Sequence, residues 1–225
     1  MNSGDDGTEI MNKYDTIIFD MDGTLLDTLE DLTDSVNHAL AYFGLPARTM
    51  KEIRSFVGNG IKQLIDLSVP DGKDNARFKD VFDLFARHYS GNCMKKTSPY
   101  PGILELLQEL KNEGHKLAVV SNKFDDAVKD LNRHFFSKFI SAAIGEKKDV
   151  RRKPAPDALL SAIDQLKSDK GKTVYVGDSA IDIQTAKNAG VRCISVTWGF
   201  CEKEFLAASG AEIMIDLPKE LLGLI

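Results

Sequence analysis

The sequence lacks any apolar run close to the ~20 residues that a membrane-spanning helix requires. Its first twelve residues are polar and have no apolar core of the kind found in a signal peptide. Cysteine is scarce, and Cys93, Cys193 and Cys201 stand at unrelated spacings that fit neither a disulfide framework nor a zinc site. These absences favour a protein of the reducing cytoplasm that has no membrane partner.

An excess of positive charge is also missing, because 29 lysines and arginines stand against 34 aspartates and glutamates, for a net charge of −5. Nucleic-acid binding normally requires a basic patch, so we expect no nucleic-acid partner. The 225 residues, 43% of them hydrophobic, suffice for one large domain or for a domain with a sizeable insertion.

The most informative stretch is the apolar run at 17–19, which stops at Asp20, Asp22 and Gly23. This pattern predicts a buried strand that feeds a tight turn. Ligands bind at the carboxyl ends of strands in an open α/β sheet, so both carboxylates are site candidates. Crowded carboxylates repel each other unless a cation or a shared proton relieves them, and such hard oxygen ligands suit Mg²⁺. On this stretch alone, an acidic turn without chemistry is the open alternative.

The segment that follows is helical, since Leu29, Leu32, Val36 and Leu40 recur at steps of three and four residues. A capping-box pattern at 49–52 begins another helix, and no strand is predicted from Asp27 to about residue 97. The connection between the first two strands is thus far longer than one helix requires. The economical explanation is a helical domain inserted just after the first strand.

From residue 98 onward, predicted strands alternate with helices, which is typical of βαβ units in a parallel sheet. Strands are predicted at 116–120, 139–144, 173–176, 193–196 and 213–215. We therefore expect an α/β protein with a doubly wound, Rossmann-like parallel sheet as its core and an inserted α-helical cap domain. The expected organisation is a tail at 1–12, the core at 13–27 and 98–225, and the cap at 28–97.

Polar groups of matching kinds follow several of these elements: Ser121 and Asn122 after one strand, Lys153 before a helix, and Asp178 and Asp182 after another strand. Carboxylates can hold a metal ion, while a hydroxyl, free amides and an ammonium can hold phosphate oxygens. A carboxylate can also attack phosphorus, and a second acid can protonate the leaving oxygen and then activate water. The residue types therefore fit phosphoryl transfer.

The order of these polar residues along the chain, and their positions at the ends of strands and helices, resemble those of the haloacid dehalogenase superfamily of phosphohydrolases. Four motifs carry the resemblance: 20–25, 121–122, 153–154 and 177–182. The helical segment at 28–97 is similar to the small helical (C1-type) cap of that superfamily.

The resemblance implies a role for each matching residue. Asp20 would be the nucleophile and a Mg²⁺ ligand, and Asp22 the general acid and base, with its backbone carbonyl on the metal. Asp178 would be the third protein ligand of Mg²⁺, with Asp182 supporting the metal from the first or second coordination shell. The groups that would bind the transferring phosphoryl group are Ser121, the amide of Asn122, and Lys153.

Softer features resemble the phosphoglycolate phosphatase-like branch: Lys123 after the second motif, the glycine-containing loop at 56–60, and the segment 196–200. Lys123 is a candidate for reaching the cap–core interface and the substrate, or a solvated helix-start lysine. Asn59 is a candidate for substrate contact from the cap or a turn residue that tolerates left-handed backbone angles.

The expected function is that of a Mg²⁺-dependent phosphatase acting on a small, phosphoglycolate-like phosphorylated metabolite through an aspartyl-phosphate, as a monomer or homodimer. Alternatives within the superfamily are a β-phosphoglucomutase-like phosphosugar mutase, a pyrophosphatase, and a nucleotide or sugar phosphatase. A phospho-signalling receiver uses similar groups, but it is much shorter, has adjacent acids and carries no helical insert.

Overall fold

The computed structural model of the chain describes residues 13–148 and 150–225. The predicted tail at 1–12 lies outside the described residues. Over the described ranges, no helix combines the length and the apolar character needed to cross a bilayer.

The core is a six-stranded sheet with the strand order β5-β4-β1-β6-β7-β8, in which every neighbouring pair is parallel. Its strands are β1 (Thr16–Phe19), β4 (Lys116–Phe124), β5 (Ala142–Glu146), β6 (Thr173–Gly177), β7 (Arg192–Val196) and β8 (Met214–Ile215), and a separate antiparallel pair is formed by β2 (Leu26–Asp27) and β3 (Ser98–Pro99). The α/β fold class predicted from the sequence is thereby confirmed. Because the chain turns to opposite sides of β1 for β4 and β6, the carboxyl end of β1 is the switch point at which such sheets bind ligands.

Helices cover both faces of the sheet, and this explains why successive residues of β1 are apolar and buried on either face. The α-helices of the described residues are α1 (Leu29–Tyr42), α2 (Met50–Phe56), α3 (Ile61–Ser68), α4 (Phe78–Asn92), α5 (Ile103–Asn112), α6 (Asp125–Leu131), α7 (Asp157–Gln165), α8 (Ala180–Ala189) and α9 (Lys203–Ala208). Ile17 and Phe19 of β1 pack on the face that α5 and α6 cover. Ile18 points to the other face and packs with residues of α7 and α8.

Helices α1 to α4, here called the helical insert, lie between β2 and β3 and pack around a hydrophobic cluster of their own. Leu32 and Val36 of α1, Ile65 of α3 and Phe85 of α4 are among its fully buried members. The β2–β3 pair joins the two points at which the chain leaves the core and returns to it. The predicted division into a core and a cap, with bounds at 28 and 97, stays a prediction.

Two strands differ from the prediction by three or more residues at one end, and the other predicted strands by one residue. The strand predicted at 116–120 runs to Phe124, with a break in its register against β5 between Val120 and Phe124. The strand predicted at 139–144 begins only at Ala142, because the backbone N–H groups of Phe139 and Ile140 both donate to the carbonyl of Phe136 in the preceding helical turn. Apolar periodicity does not distinguish such a turn from a strand.

The return of the chain from the helical insert depends on one buried carboxylate, that of Asp31 on α1. It accepts hydrogen bonds from the backbone N–H groups of Lys96 at 3.0–3.1 Å and of Thr97 at 2.9 Å. A charged acceptor with two amide donors is a strong arrangement, because hydrogen bonds to ionised groups are worth more than neutral ones.

We expect Asp31→Ala to lower the free energy of unfolding by about 2 kcal/mol, because it removes the acceptor of two backbone amides. Equilibrium urea denaturation measures the change. The matched control is Asp34→Ala on the same helix, which removes an exposed ion pair with Lys96 (2.9 Å) and should cost less than about 0.5 kcal/mol. Equal losses in the two variants would contradict this account of Asp31.

Candidate active site

The site forms where β1 ends. The backbone N–H of Asp20 donates to the carbonyl of Val176 on β6 (2.8 Å), so the carboxylate of Asp20 emerges beside the end of that strand. Gly23 then turns the chain with a φ of 85°, and a side chain there would overlap the carboxylate of Asp178. The glycine is therefore required for both its backbone angle and its lack of a side chain.

Three buried carboxylates meet at this point. Ligand oxygens of Asp20, Asp178 and Asp182 all lie within 4.8 Å of one another. Burial raises the pKa of Asp20 to about 7, against the opposing effect of Lys153, and the neighbouring carboxylates add to the rise. Burial, followed by the charge of Asp20, raises the pKa of Asp178 well above its usual range. The cluster thus carries more negative charge than its surroundings compensate.

The donor set of this cluster fits a divalent cation. Asp178 is fixed by hydrogen bonds from the Thr24 hydroxyl (3.1 Å) and the Phe200 backbone N–H (2.8 Å), and each of its oxygens retains a further lone pair. An all-oxygen set of carboxylates suits Mg²⁺ or Mn²⁺ better than softer metals. Both oxygens of Asp182 already accept hydrogen bonds, including one from Lys153 and one from the backbone N–H of Ser179. Asp182 is therefore better suited to supporting such an ion from beside the cluster than to being one of its main ligands.

Lys153 provides positive charge within the cluster. Its Nζ lies 2.8 Å from Asp20 Oδ1 and 2.7 Å from Asp182 Oδ1, and it donates to the hydroxyl of Tyr175 at 3.0 Å. Burial alone would lower its pKa, but Asp182 and Asp20 hold that pKa above its usual value. The side chain of Asn122 fixes the backbone of Lys153 by bonding both its N–H (2.8 Å) and its carbonyl (3.1 Å).

The second acid of the motif, Asp22, is paired with a different lysine. Lys123 Nζ lies 2.8 Å from Asp22 Oδ1 and donates to the hydroxyl of Tyr89 at 2.7 Å. Ser121 is buried beside this pair, and its hydroxyl accepts the backbone N–H of Lys123 at 3.3 Å.

One cavity connects these groups. Its floor is polar and comes from the core. Its roof comes from the helical insert and consists of apolar side chains and two glycines. The floor contains Asp20, Asp22, Ser121, Asn122, Lys123, Lys153, Asp178 and Ser179; the roof contains Leu32, Val57, Gly58, Gly60, Ile61 and Leu64; Phe200 and Cys201 lie at the side. Of the predicted residues, Asp182 contacts the floor through Lys153, and Asn59 is exposed and does not line the cavity. The roles assigned to all these residues stay predictions.

Sequence reasoning missed several residues that hold the site together. The hydroxyl of Tyr89 on α4 accepts a hydrogen bond from one buried lysine of the site, and the hydroxyl of Tyr175 on β6 accepts one from the other. Arg54 on α2 donates to the carbonyls of Phe200 (2.8 Å) and Gly199 (3.0 Å), next to the amide that bonds Asp178. Periodicity assigns these residues to helices or strands but carries no signal of their partners.

Comparison with known proteins agrees with this geometry. A family model described as haloacid dehalogenase-like hydrolase matches residues 17–196. A phosphoglycolate phosphatase of Mesorhizobium japonicum is 36% identical over 197 residues, which cover 83% of this chain and 84% of that protein. A phosphoglycolate phosphatase of Aquifex aeolicus is 30% identical over 210 residues, which cover 92% of this chain and 95% of that protein.

Solved structures give the same answer. A predicted phosphoglycolate phosphatase from Haemophilus somnus has a TM-score of 0.88 and 28% identity, covering 95% of this chain and 99% of that one. CbbY from Rhodobacter sphaeroides, solved in complex with phosphate, has a TM-score of 0.77 and 26% identity, covering 92% and 96%. From the extent of the family match and of these relatives, the chain belongs to the haloacid dehalogenase-like hydrolases, in their phosphoglycolate phosphatase-like branch.

Proposed function

We propose that this phosphoric monoester hydrolase removes phosphate from a small phosphorylated acid of the phosphoglycolate kind, with Asp20 as its nucleophile. The observation that carries the proposal is the contact of Lys153 with Asp20 inside the buried acid cluster, at the floor of a roofed cavity. Relatives named phosphoglycolate phosphatase, at 30–36% identity over most of both chains, support the substrate class.

The first half of the reaction uses Asp20 as the attacking group. One of its oxygens forms a bond to phosphorus while the bond between phosphorus and the ester oxygen breaks, which leaves an aspartyl-phosphate. Lys153 and the hydroxyl of Ser121 would hold the phosphoryl oxygens, since both groups line the cavity beside Asp20. Fixed positive charge and donors of this kind lower the barrier without reorganising during the reaction.

The second acid completes both halves. Asp22 would give its proton to the ester oxygen as that oxygen leaves, and it would then take a proton from the water that attacks phosphorus. The bond between Asp20 and phosphorus breaks in this second step, so inorganic phosphate leaves and both carboxyl groups return to their initial states.

The acid cluster would hold Mg²⁺ through Asp20, the backbone carbonyl of Asp22, and Asp178, with Asp182 in support. Such an ion would offset the crowded negative charge, keep Asp20 ionised and withdraw charge from the phosphoryl oxygens.

The helical insert would act as a cap that closes over the bound substrate. Its contacts with the core support this role. The carbonyl of Gly58 accepts a hydrogen bond from the Asn122 side chain (3.2 Å), and the guanidinium of Arg54 donates one to the backbone carbonyl of Phe200. A closed roof of apolar side chains excludes bulk water from the reacting groups.

We expect Asp20→Asn to remain folded and to lose phosphate release from phosphoglycolate by at least about 1,000-fold, because the amide is a far weaker nucleophile. A colorimetric phosphate assay gives the rate, and circular dichroism checks the fold. Asp126→Asn, an exposed acid at the start of α6, is the control and should keep the wild-type rate. Substantial activity in Asp20→Asn would remove Asp20 from the role of nucleophile.

Metal binding has a readout that does not depend on turnover. At a Mg²⁺ concentration about 100 times the dissociation constant, the free energy of unfolding of the wild type should rise by about 2.7 kcal/mol. We expect most of this gain to disappear in Asp178→Asn, because a ligand oxygen becomes a neutral amide. Thermal or chemical unfolding with and without Mg²⁺ measures it, and an undiminished gain in the variant would place the ion elsewhere.

A further inference from the structure

Lys123 is held as a fully buried ammonium group. Its side chain has no solvent exposure, and its Nζ contacts Asp22 Oδ1 at 2.8 Å and the Tyr89 hydroxyl at 2.7 Å. The same Nζ lies 4.7 Å from the centre of the Tyr89 ring. A buried charge is costly unless its partners compensate it, so this lysine is fixed by the residues around it.

The partners of Lys123 come from two different parts of the chain. Asp22 follows β1 in the core, whereas Tyr89 belongs to α4 and stacks on Phe85 within the cluster of the helical insert (ring centres 5.4 Å apart). The residue after Lys123, Phe124, meets Phe82 of α4 edge to face at 6.2 Å. The end of β4 therefore packs against α4 of the insert. Lys123, at this end of the strand, contacts both α4 and Asp22.

From these contacts we propose that Lys123 and Tyr89 are positioning residues for Asp22, which orient the catalytic acid when the insert packs on the core. The proposal rests on the role of Asp22 proposed above, and it assigns Lys123 a role other than the contact with substrate for which the sequence made it a candidate. With Oδ1 held by the lysine, Oδ2 of Asp22 is left to exchange the proton with the leaving oxygen. The ammonium also stabilises the carboxylate that forms as that proton departs.

A purely structural role makes a different prediction. If Lys123 only joined the core to the insert through its contact with Tyr89, its loss would slow the hydrolysis of all substrates to the same extent. If it positions the acid, the loss depends on the leaving group. An alkoxide needs the proton from Asp22, whereas p-nitrophenolate leaves readily without one.

The experiment compares kcat/KM for two substrates, an alkyl phosphate and p-nitrophenyl phosphate, in the wild type and in Lys123→Met. General acid catalysis is worth about 100-fold or more, so we expect a loss of about 100-fold for the alkyl ester and of less than about 5-fold for the aryl ester. Asp22→Asn provides the reference and should show the same selectivity. Tyr89→Phe keeps the ring stack and removes only the hydroxyl, and it should show the same direction at about 5-fold.

Lys116→Met is the matched control. It makes the same substitution on the same strand at a half-buried lysine, whose Nζ donates to the carbonyl of Lys167 (2.8 Å), and it should leave both rates unchanged. If Lys123→Met fails to fold, Tyr89→Phe decides by the same ratio.

Equal losses for the two esters would overturn the proposal. The substrate assignment is tested separately, because phosphoglycolate and glycerol phosphate both serve as the alkyl ester. A wild type that hydrolyses only glycerol phosphate refutes the proposed substrate and still reports the ratio. An Asp22→Asn variant without selectivity removes the acid role of Asp22 and this proposal with it.

Discussion

The site depends on a charge imbalance buried at the end of one strand. Asp20, Asp178 and Asp182 crowd together with the ammonium of Lys153 between two of them. Such a cluster is expensive to bury, and nothing in a hydrophobic core would favour it. Its residues are held in place by hydrogen bonds from backbone amides and neighbouring hydroxyls. The glycine at position 23 lets the carboxylate of Asp178 occupy the space that a side chain would fill. The fold thus maintains a region of negative charge that a bound divalent cation would balance.

The helical insert is connected to this region by polar contacts as well as by apolar packing. Asn122 bonds the roof at Gly58 and the backbone of Lys153. Arg54 bonds the loop whose amide holds Asp178. Lys123 contacts Asp22 on the core and a tyrosine on α4. Each link ends on a residue assigned to the chemistry or on a residue hydrogen-bonded to one, so the packing of the insert on the core and the arrangement of the charged groups are coupled.

Much of the fold could be read from the sequence because local patterns determine it. Alternating strands and helices indicate a parallel sheet, and the carboxyl ends of parallel strands share one edge. That shared edge is why Asp20 and Asp178, far apart in sequence, were expected to meet. The capping box at Thr49 and Glu52 is also present as predicted. The family resemblance stated from four motifs is confirmed by the family match.

Other features could not be predicted because they arise from tertiary packing. The orientation of α4 against β4, which brings Tyr89 to Lys123, is not encoded in the period of either element. The start of β5 depends on which backbone N–H groups donate hydrogen bonds within the preceding helical turn and are then not available to the sheet. One signal was available but overlooked: Ser179 and Asp182 have capping-box spacing, and the structure shows both halves of that box. Asp182 is therefore partly occupied in starting α8, a use that its position in the family motif conceals.

The separation of a charged floor from an apolar roof has a consequence for how such an enzyme can diversify. Leu32, Val57, Ile61 and Leu64 border the cavity without joining the network of charges. Exchanging one of them for a larger or smaller side chain would reshape the space for the organic part of a substrate while the bond-breaking apparatus stayed intact. A single chain architecture can in this way be retuned from one phosphate ester to another by a few changes in its helices.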